Sequence, residues 1–178
     1  MKNVLLISED YIKTYSGLNE NVWGSYLFPA IKEAQEINLQ QILGEKFYSR
    51  LLIYVNNGRI NDKDYAPYKT LLDDYIQPYL LYQTIANIVP IIGVKLTNLG
   101  VVVSNDEHIV NLSQNERQSI QDYYSNRADF YGKRLQEFLK KWAEDYKELE
   151  LPSDFGPTLN TIANTQLFLG GRRGRKLN

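Results

Sequence analysis

The feature that most constrains the fold is a long amphipathic pattern between residues 113 and 149. Ser113 and Glu116 have the spacing of a capping box, in which each side chain accepts a hydrogen bond from the other residue's backbone N–H at a helix start. The pattern predicts a helix of about 35 residues, roughly 50 Å long at 1.5 Å per residue, with part of its stripe available to a partner. The stripe runs at steps of three and four through Ile120, Tyr124, Ala128, Tyr131, Leu135, Phe138, Trp142, Tyr146 and Leu149.

Shorter helical patterns precede this segment. Ser8 is a good N-terminal cap for the acidic residues that follow it, which predicts a short helix over about 9–16. Two apolar stripes then lie on either side of Gly44, and the second ends at the turn-forming sequence 56–58. They predict two helices that meet at a tight corner. The stripes contain Ile31, Ala34 and Ile37, and then Phe47, Tyr48, Leu51, Leu52 and Val55.

The middle of the chain differs from the preceding segments in its hydrophobic pattern and in its residue composition. In the segment 64–90, apolar residues nearly encircle the helical pattern beyond Tyr79, as expected at the centre of a bundle. Pro78 lacks a backbone N–H, and we expect it to kink or divide this helix. The stretch at about 94–112 is rich in β-branched residues and glycine, and it predicts an extended excursion or a small hairpin.

Together these patterns predict a mainly α-helical bundle with a long C-terminal helix, the excursion at about 94–112 and an extended C-terminal arm. We expect a helical domain over 1–150 and an arm with a basic tip over 151–178. The longest uncharged stretch, 75–94, contains two prolines and several amides, which favours a buried helix over a membrane span. No signal peptide is visible in the first residues, which favours synthesis in a cytoplasm.

The residues that carry most enzyme chemistry are scarce. The chain has no cysteine, and its one histidine, His108, has acidic neighbours in sequence only, so thiol catalysis, disulfides and a His-rich metal site are excluded. The adjacent acids at 73–74 and 144–145 would point about 100° apart on a helix and do not converge. Neither a phosphate-binding glycine motif nor a nucleophile elbow is present. We expect no enzymatic activity, no cofactor and no metal.

The C-terminal segment carries a marked charge asymmetry, with a net charge of +3 over 151–178 against −4 over the first 150 residues. Charge alone leaves three roles open: a solvated end, a nucleic-acid arm and a protein-docking arm. We predict a partner-docking arm, with channel DNA as the alternative contact. Its apolar anchors are Phe155, Leu159, Ile162, Leu167, Phe168 and Leu169, and its basic tip is Arg172, Arg173, Arg175 and Lys176. The 14 tyrosines suit either subunit interfaces or the edge of the core.

The order of these motifs carries a family resemblance. The short helix SEDYIKTYSGL precedes LFPAIKEAQEINLQQILGEKFY, which has Ala near its middle and a Leu-Gly corner. A buried third helix, the excursion TNLGVVV and the long amphipathic helix follow. In this order, residues 5 to about 148 resemble the head–tail connector (adaptor) proteins of tailed bacteriophages, most closely the versions from crAss-like and other Bacteroides phages.

The resemblance implies a non-enzymatic virion protein of the neck, made in the host bacterial cytoplasm. Such proteins form a homo-oligomeric ring, here expected to have twelve copies, that stacks on the portal protein, extends the DNA channel and presents a surface to neighbouring neck and tail proteins. The resemblance implies no membrane partner. The longer middle region and the basic arm depart from compact members and leave the position of the ring in the neck open. A small helical DNA-binding protein that uses the basic tail is the alternative function.

Overall fold

The computed structural model describes residues 4–16, 24–91, 94–97, 100–103 and 113–146, and within them the chain is mainly α-helical, as predicted. Two π-helical segments, Ala34–Leu39 and Leu72–Ile76, continue the helices on either side of them without a break. Short 3₁₀ turns occur at Arg59–Asn61, Lys63–Tyr65 and Ala143–Asp145. The α-helices are α1 (Glu9–Ser16), α2 (Gly24–Glu33), α3 (Gln40–Leu43), α4 (Glu45–Asn56), α5 (Ala66–Leu71), α6 (Gln77–Ile88) and α7 (Gln114–Lys141).

Helix α6 lies at the centre of the bundle. It packs most extensively against α7, and it also contacts α2, the π-helical segment Ala34–Leu39 and α1. The predicted apolar surface on nearly all sides of this helix is confirmed, because its buried residues are Tyr79, Leu80, Leu81, Thr84, Ile85, Ala86 and Ile88. Pro78 stands in the first turn of α6, immediately after the second π-helical segment, where its missing N–H is tolerated. The hydrogen bonding changes from π-helical to α-helical just before Pro78, but the helical path continues through it, so the predicted division of the helix does not occur.

The predicted corner at Gly44 is confirmed. Gly44 has φ +76° and ψ 154° between α3 and α4, a conformation that side chains with a Cβ rarely adopt. Its N–H donates to the Gln40 carbonyl at 2.8 Å, which ends α3. Helix α4 then buries Phe47, Tyr48, Leu51 and Tyr54, and it ends before Gly58, which has φ +72°. Both helix boundaries follow from glycine positions that the sequence displays.

The N-terminal segment is anchored by a buried amide. The predicted helix α1 is confirmed, and the Tyr11 N–H donates to the Ser8 hydroxyl at 3.0 Å. Just before it, Leu6 is buried, and its N–H donates to Oε1 of Gln35 at 2.6 Å. Nε2 of Gln35 in turn donates to the Val4 carbonyl at 3.2 Å. Gln35 has no exposed surface, so one amide satisfies two main-chain groups inside the core.

The residues around the first π-helical segment correct one prediction. We expected Ile37 to share the buried stripe of Ile31 and Ala34. Those two residues are buried, but Ile37 is 54% exposed, and Gln35 and Leu39 lie in the interior. A π-helical turn bonds residue i to i+5, so it holds more residues than an α-helical turn and rotates the residues that follow. Leu39 is thereby turned inward, where a period of 3.6 residues would place Asn38. Gln35 and Ile37 follow Ile31 by four and six residues, so the ordinary helical period already turns the amide inward and the isoleucine outward.

The predicted hairpin is present between α6 and α7. Strands β1 (Val94–Thr97) and β2 (Gly100–Val103) pair antiparallel, with Val94 opposite Val103 and Thr97 opposite Gly100. The remainder of the expected excursion, 104–112, lies outside the described residues and includes His108. The predicted arm over 151–178 lies outside them as well.

Helix α7 is shorter than predicted, with 28 residues and a length of about 42 Å. The backbone leaves the helical conformation at Trp142, and a 3₁₀ turn follows. This turn carries Tyr146 back onto the core, where its hydroxyl donates to the Pro67 carbonyl at 3.1 Å. Burial, aided by the nearby Asp145, raises the pKa of Tyr146 to about 12. Tyr146 is buried together with the inner stripe, as predicted. It reaches this position through the 3₁₀ turn that follows α7, because α7 itself ends at Lys141.

Replacement of Ser113 by alanine is expected to lower the free energy of unfolding by about 0.5–2 kcal/mol. The capping box is confirmed, because the Glu116 N–H donates to Ser113 Oγ at 3.3 Å and the Ser113 N–H donates to Glu116 Oε2 at 2.8 Å. Urea denaturation should show the loss, whereas Ser119→Ala should leave stability nearly unchanged. Ser119 is exposed, and its hydroxyl bonds only the Asn115 carbonyl of its own helix.

The capping box also predicts a pH dependence. Hydrogen bonds from Ser113 lower the pKa of Glu116 below its ordinary value of 4.5. The stabilisation by the Glu116 carboxylate is therefore present above about pH 4.5 and is lost as the pH falls through the lowered pKa. The variant Glu116→Gln should remove this part of the acid sensitivity.

Candidate interaction surface

Helix α7 has two faces of different character. Its inner face buries Ala128, Gly132, Leu135 and Leu139 against the bundle. A Cβ atom built at Gly132 would lie 3.2 Å from the ring of Tyr79, so the absence of a side chain there lets α7 approach α6 closely. Phe130 lies about 200° around the helix from Ala128 and is 64% exposed. The outer face therefore presents an aromatic side chain that the core of this chain does not use.

A row of aromatic and cationic residues follows this outer face. Tyr123, Arg127, Phe130 and Arg134, which we call the α7 ridge, are spaced by four, three and four residues and so share one side of the helix. Tyr123 is 50% exposed, and the Arg127 guanidinium carbon lies 3.5 Å from the centroid of its ring. The Arg134 guanidinium carbon lies 4.8 Å from the Tyr75 ring centroid. The first contact holds Arg127 along the ridge, and the second holds Arg134 against the neighbouring π-helical segment Leu72–Ile76. Neither contact neutralises the charge of its arginine.

The ridge rests on a layer of partly buried tyrosines. The Tyr82 and Tyr131 rings stack with centroids 5.2 Å apart and an angle of 11° between their planes. Tyr131 also meets Phe130 edge to face at 5.3 Å, and Tyr124 meets Tyr123 in the same way at 5.2 Å. Packed rings have few accessible rotamers, so they position Tyr123 and Phe130 with little entropy left to lose on binding.

All fourteen tyrosines lie within the described ranges. Their exposure supports neither a role at subunit interfaces alone nor a role at the edge of the core alone. Five are buried, seven are partly buried and two are exposed. The buried group belongs to the core, as in the packing of Tyr68 against Tyr146 with ring centroids 5.3 Å apart. The partly buried group includes Tyr82, Tyr124 and Tyr131 below the ridge. Tyrosine therefore serves both the core and a surface with the composition of protein interfaces.

A second surface has apolar and acidic character. Glu33, Glu36 and Ile37, which we call the acidic patch, lie within about one helical turn at the junction of α2 and the first π-helical segment, and all three are exposed. Lys32 forms an ion pair with Glu36 along the helix. Glu33 and Glu36 are three residues apart and repel each other on the helix surface.

Within the described part of the chain, no group of three or more potential metal-ligating His, Cys, Asp or Glu side chains comes together. Asp73 forms an exposed ion pair with Lys69 at 2.9 Å, typical of a solvated helix face. None of the helices in these same ranges is long and apolar enough to cross a bilayer.

The structure adds residues that sequence reasoning did not select. The docking-arm residues Phe155, Leu159, Ile162, Leu167, Phe168, Leu169, Arg172, Arg173, Arg175 and Lys176 all lie outside the described ranges, so their docking stays a prediction. The sequence pattern of α7 is dominated by its inner apolar stripe, and the α7 ridge was not predicted from it. The signal was the seven-residue spacing of Tyr123 and Phe130, which places two aromatic residues on the face otherwise rich in charge.

Comparison with known proteins gives one family. No curated protein and no solved structure matches the chain. A family model described as "Family of unknown function (DUF6712)" matches residues 39–156, well over half of the 178 residues. The matched span contains α4, α6 and the whole of α7 with its ridge. The chain therefore belongs to the DUF6712 family of unknown function.

Proposed function

We propose that this protein is a structural component of a phage virion, a head–tail connector that forms a homo-oligomeric ring of twelve copies on the portal. The proposal is supported by the order of sequence motifs over residues 5 to about 148 and by the helical bundle that the described residues in this range form. The protein would act in the virion neck without catalysis or cofactor, extending the DNA channel and contacting portal and tail proteins. Its C-terminal arm would dock onto a neighbouring subunit.

The observation that carries the proposal is the α7 ridge. Aromatic residues and arginine dominate the energetic centres of protein interfaces, and the ridge presents Tyr123, Phe130 and two arginines together. The opposite face of α7 is fixed in the core, so the helix can form a wall between its own bundle and a neighbouring one. A ring requires such a surface on every copy, because each subunit is contacted by its neighbours.

The test is the mass and shape of the purified full-length protein. Light scattering and negative-stain electron microscopy should show rings, either from the protein alone or after addition of portal. Phe130→Asp should reduce ring formation at least about tenfold while circular dichroism stays unchanged, because it places a charge in the desolvated centre of the contact. Ile53→Asp, at a 47% exposed position on α4, is the matched control and should still assemble.

The same preparations separate the proposal from its alternative. A protein that stays monomeric with and without portal contradicts the connector function. Salt-sensitive DNA binding that is abolished by deletion of residues 170–178 would favour a DNA-binding protein, because the affinity of phosphate contacts falls steeply with salt.

A further inference from the structure

We propose that the α7 ridge of one copy docks on the acidic patch of a second copy. This inference rests on the proposed function, because it names the two surfaces that meet where neighbouring ring subunits touch. The occupant of the ridge is thus another molecule of the same chain, and the contact joins two different surfaces.

The α7 ridge carries positive charge. Between residues 123 and 134, Arg127 and Arg134 lie on the ridge, and the one acid in that span is Asp129. Asp129 adjoins Phe130 in sequence and therefore lies about 100° from it around the helix, on the side of Lys133. The ridge therefore presents positive charge around exposed Phe130, and a complementary surface has to combine carboxylates with an apolar side chain.

The acidic patch meets that requirement. Ile37 is 54% exposed, and it would lie against Phe130. Glu33 and Glu36 flank it, and Lys32 pairs with only the second of them among the contacts described. An arginine arriving from another copy would relieve the repulsion between the two glutamates and form the charge-assisted hydrogen bonds that guanidinium and carboxylate groups favour.

The geometry of such a contact agrees with a ring. A contact between two different surfaces is heterologous, and repetition of a heterologous contact gives a closed ring whenever the rotation between neighbours closes. A contact of the ridge with itself would instead be isologous and would close two copies into a dimer. Such a dimer would leave the carboxylates of Glu33 and Glu36 without a cationic partner from another copy, and it would not extend to the ring of the proposed function.

A charge-exchange experiment tests the pairing. The ridge variant Arg127→Glu/Arg134→Glu and the patch variant Glu33→Arg/Glu36→Arg should each weaken self-association of the full-length protein by about tenfold or more in sedimentation equilibrium. A protein that carries all four substitutions should recover most of the wild-type affinity, because the charges face each other again with exchanged sign. Lys133→Glu/Lys140→Glu changes the same charge on another side of α7 and should leave association unchanged.

Each outcome separates the two proposals. If the wild type forms rings and the four-substitution protein associates no better than either variant, the pairing is wrong and the connector function stands. The pairing is also overturned if the Lys133/Lys140 control weakens association as much as the ridge variant does. If the wild type shows no association alone or with portal, both proposals fail. Thermal unfolding of every variant ensures that lost association is not lost folding.

Discussion

Substitution of Leu80 by alanine is expected to lower the free energy of unfolding by about 2–5 kcal/mol. Leu80 has no exposed surface and stands in α6, the helix against which α7, α2 and α1 pack. The shortened side chain loses its transfer free energy and leaves a cavity, and neighbours held on several sides relax little. Urea denaturation followed by circular dichroism measures the change as a lower midpoint with an unchanged slope.

The matched control is Ile53→Ala. Ile53 is 47% exposed on α4, so its truncation should change stability by less than about 0.5 kcal/mol. A Leu80→Ala protein as stable as the wild type would contradict the central position of α6. An equally large loss for Ile53→Ala would show that the outer side of α4 is covered in solution.

Replacement of Gln35 by leucine is expected to cost roughly 2–4 kcal/mol of stability, although leucine is similar in volume and more apolar. The amide accepts from the Leu6 N–H and donates to the Val4 carbonyl, and leucine would leave both main-chain groups without a partner. A buried group deprived of its partner costs about 1–3 kcal/mol, which exceeds the gain from an apolar side chain. Hydrogen exchange should show faster exchange at the Leu6 amide, because the segment opens locally.

The control for Gln35 is Gln41→Leu. Gln41 is exposed on α3, further along the same helical path, and leucine there should change stability by less than about 0.5 kcal/mol. If Gln35→Leu were more stable than the wild type, the two hydrogen bonds to the N-terminal segment would contribute little to the fold.

The parts of the fold that sequence predicted are those set by local chemistry. Helix α1, the corner at Gly44 and the capping box at Ser113 each depend on a few neighbouring residues, and all three are confirmed. The central position of α6 followed from its apolar surface on all sides. Such features need no knowledge of what packs against them.

The parts that sequence missed depend on tertiary contacts. Ile37 was expected in the buried stripe, but it lies six residues after Ile31 and faces outward. Leu39 is buried in place of Asn38 because a π-helical segment shifts the phase of the helix, and a period of 3.6 residues contains no sign of that shift. Helix α7 ended before its stripe did, because packing of Tyr146 on the core selected a turn. The α7 ridge was missed for a related reason. The outer face of α7 can be identified only when its inner face is known, and the inner face is set by packing against α6.

The anchoring of the N-terminal segment has a consequence for biosynthesis. Leu6 is bonded through its N–H to Gln35 and through its carbonyl to Nε2 of Gln77, the latter at 3.4 Å. A ribosome makes about 5–20 residues per second, so Leu6 waits several seconds before Gln77 has been synthesised. The N-terminal segment thus cannot complete these hydrogen bonds until residue 77 has been made, and during that interval the apolar side chains of Leu6 and Ile7 remain available to chaperones.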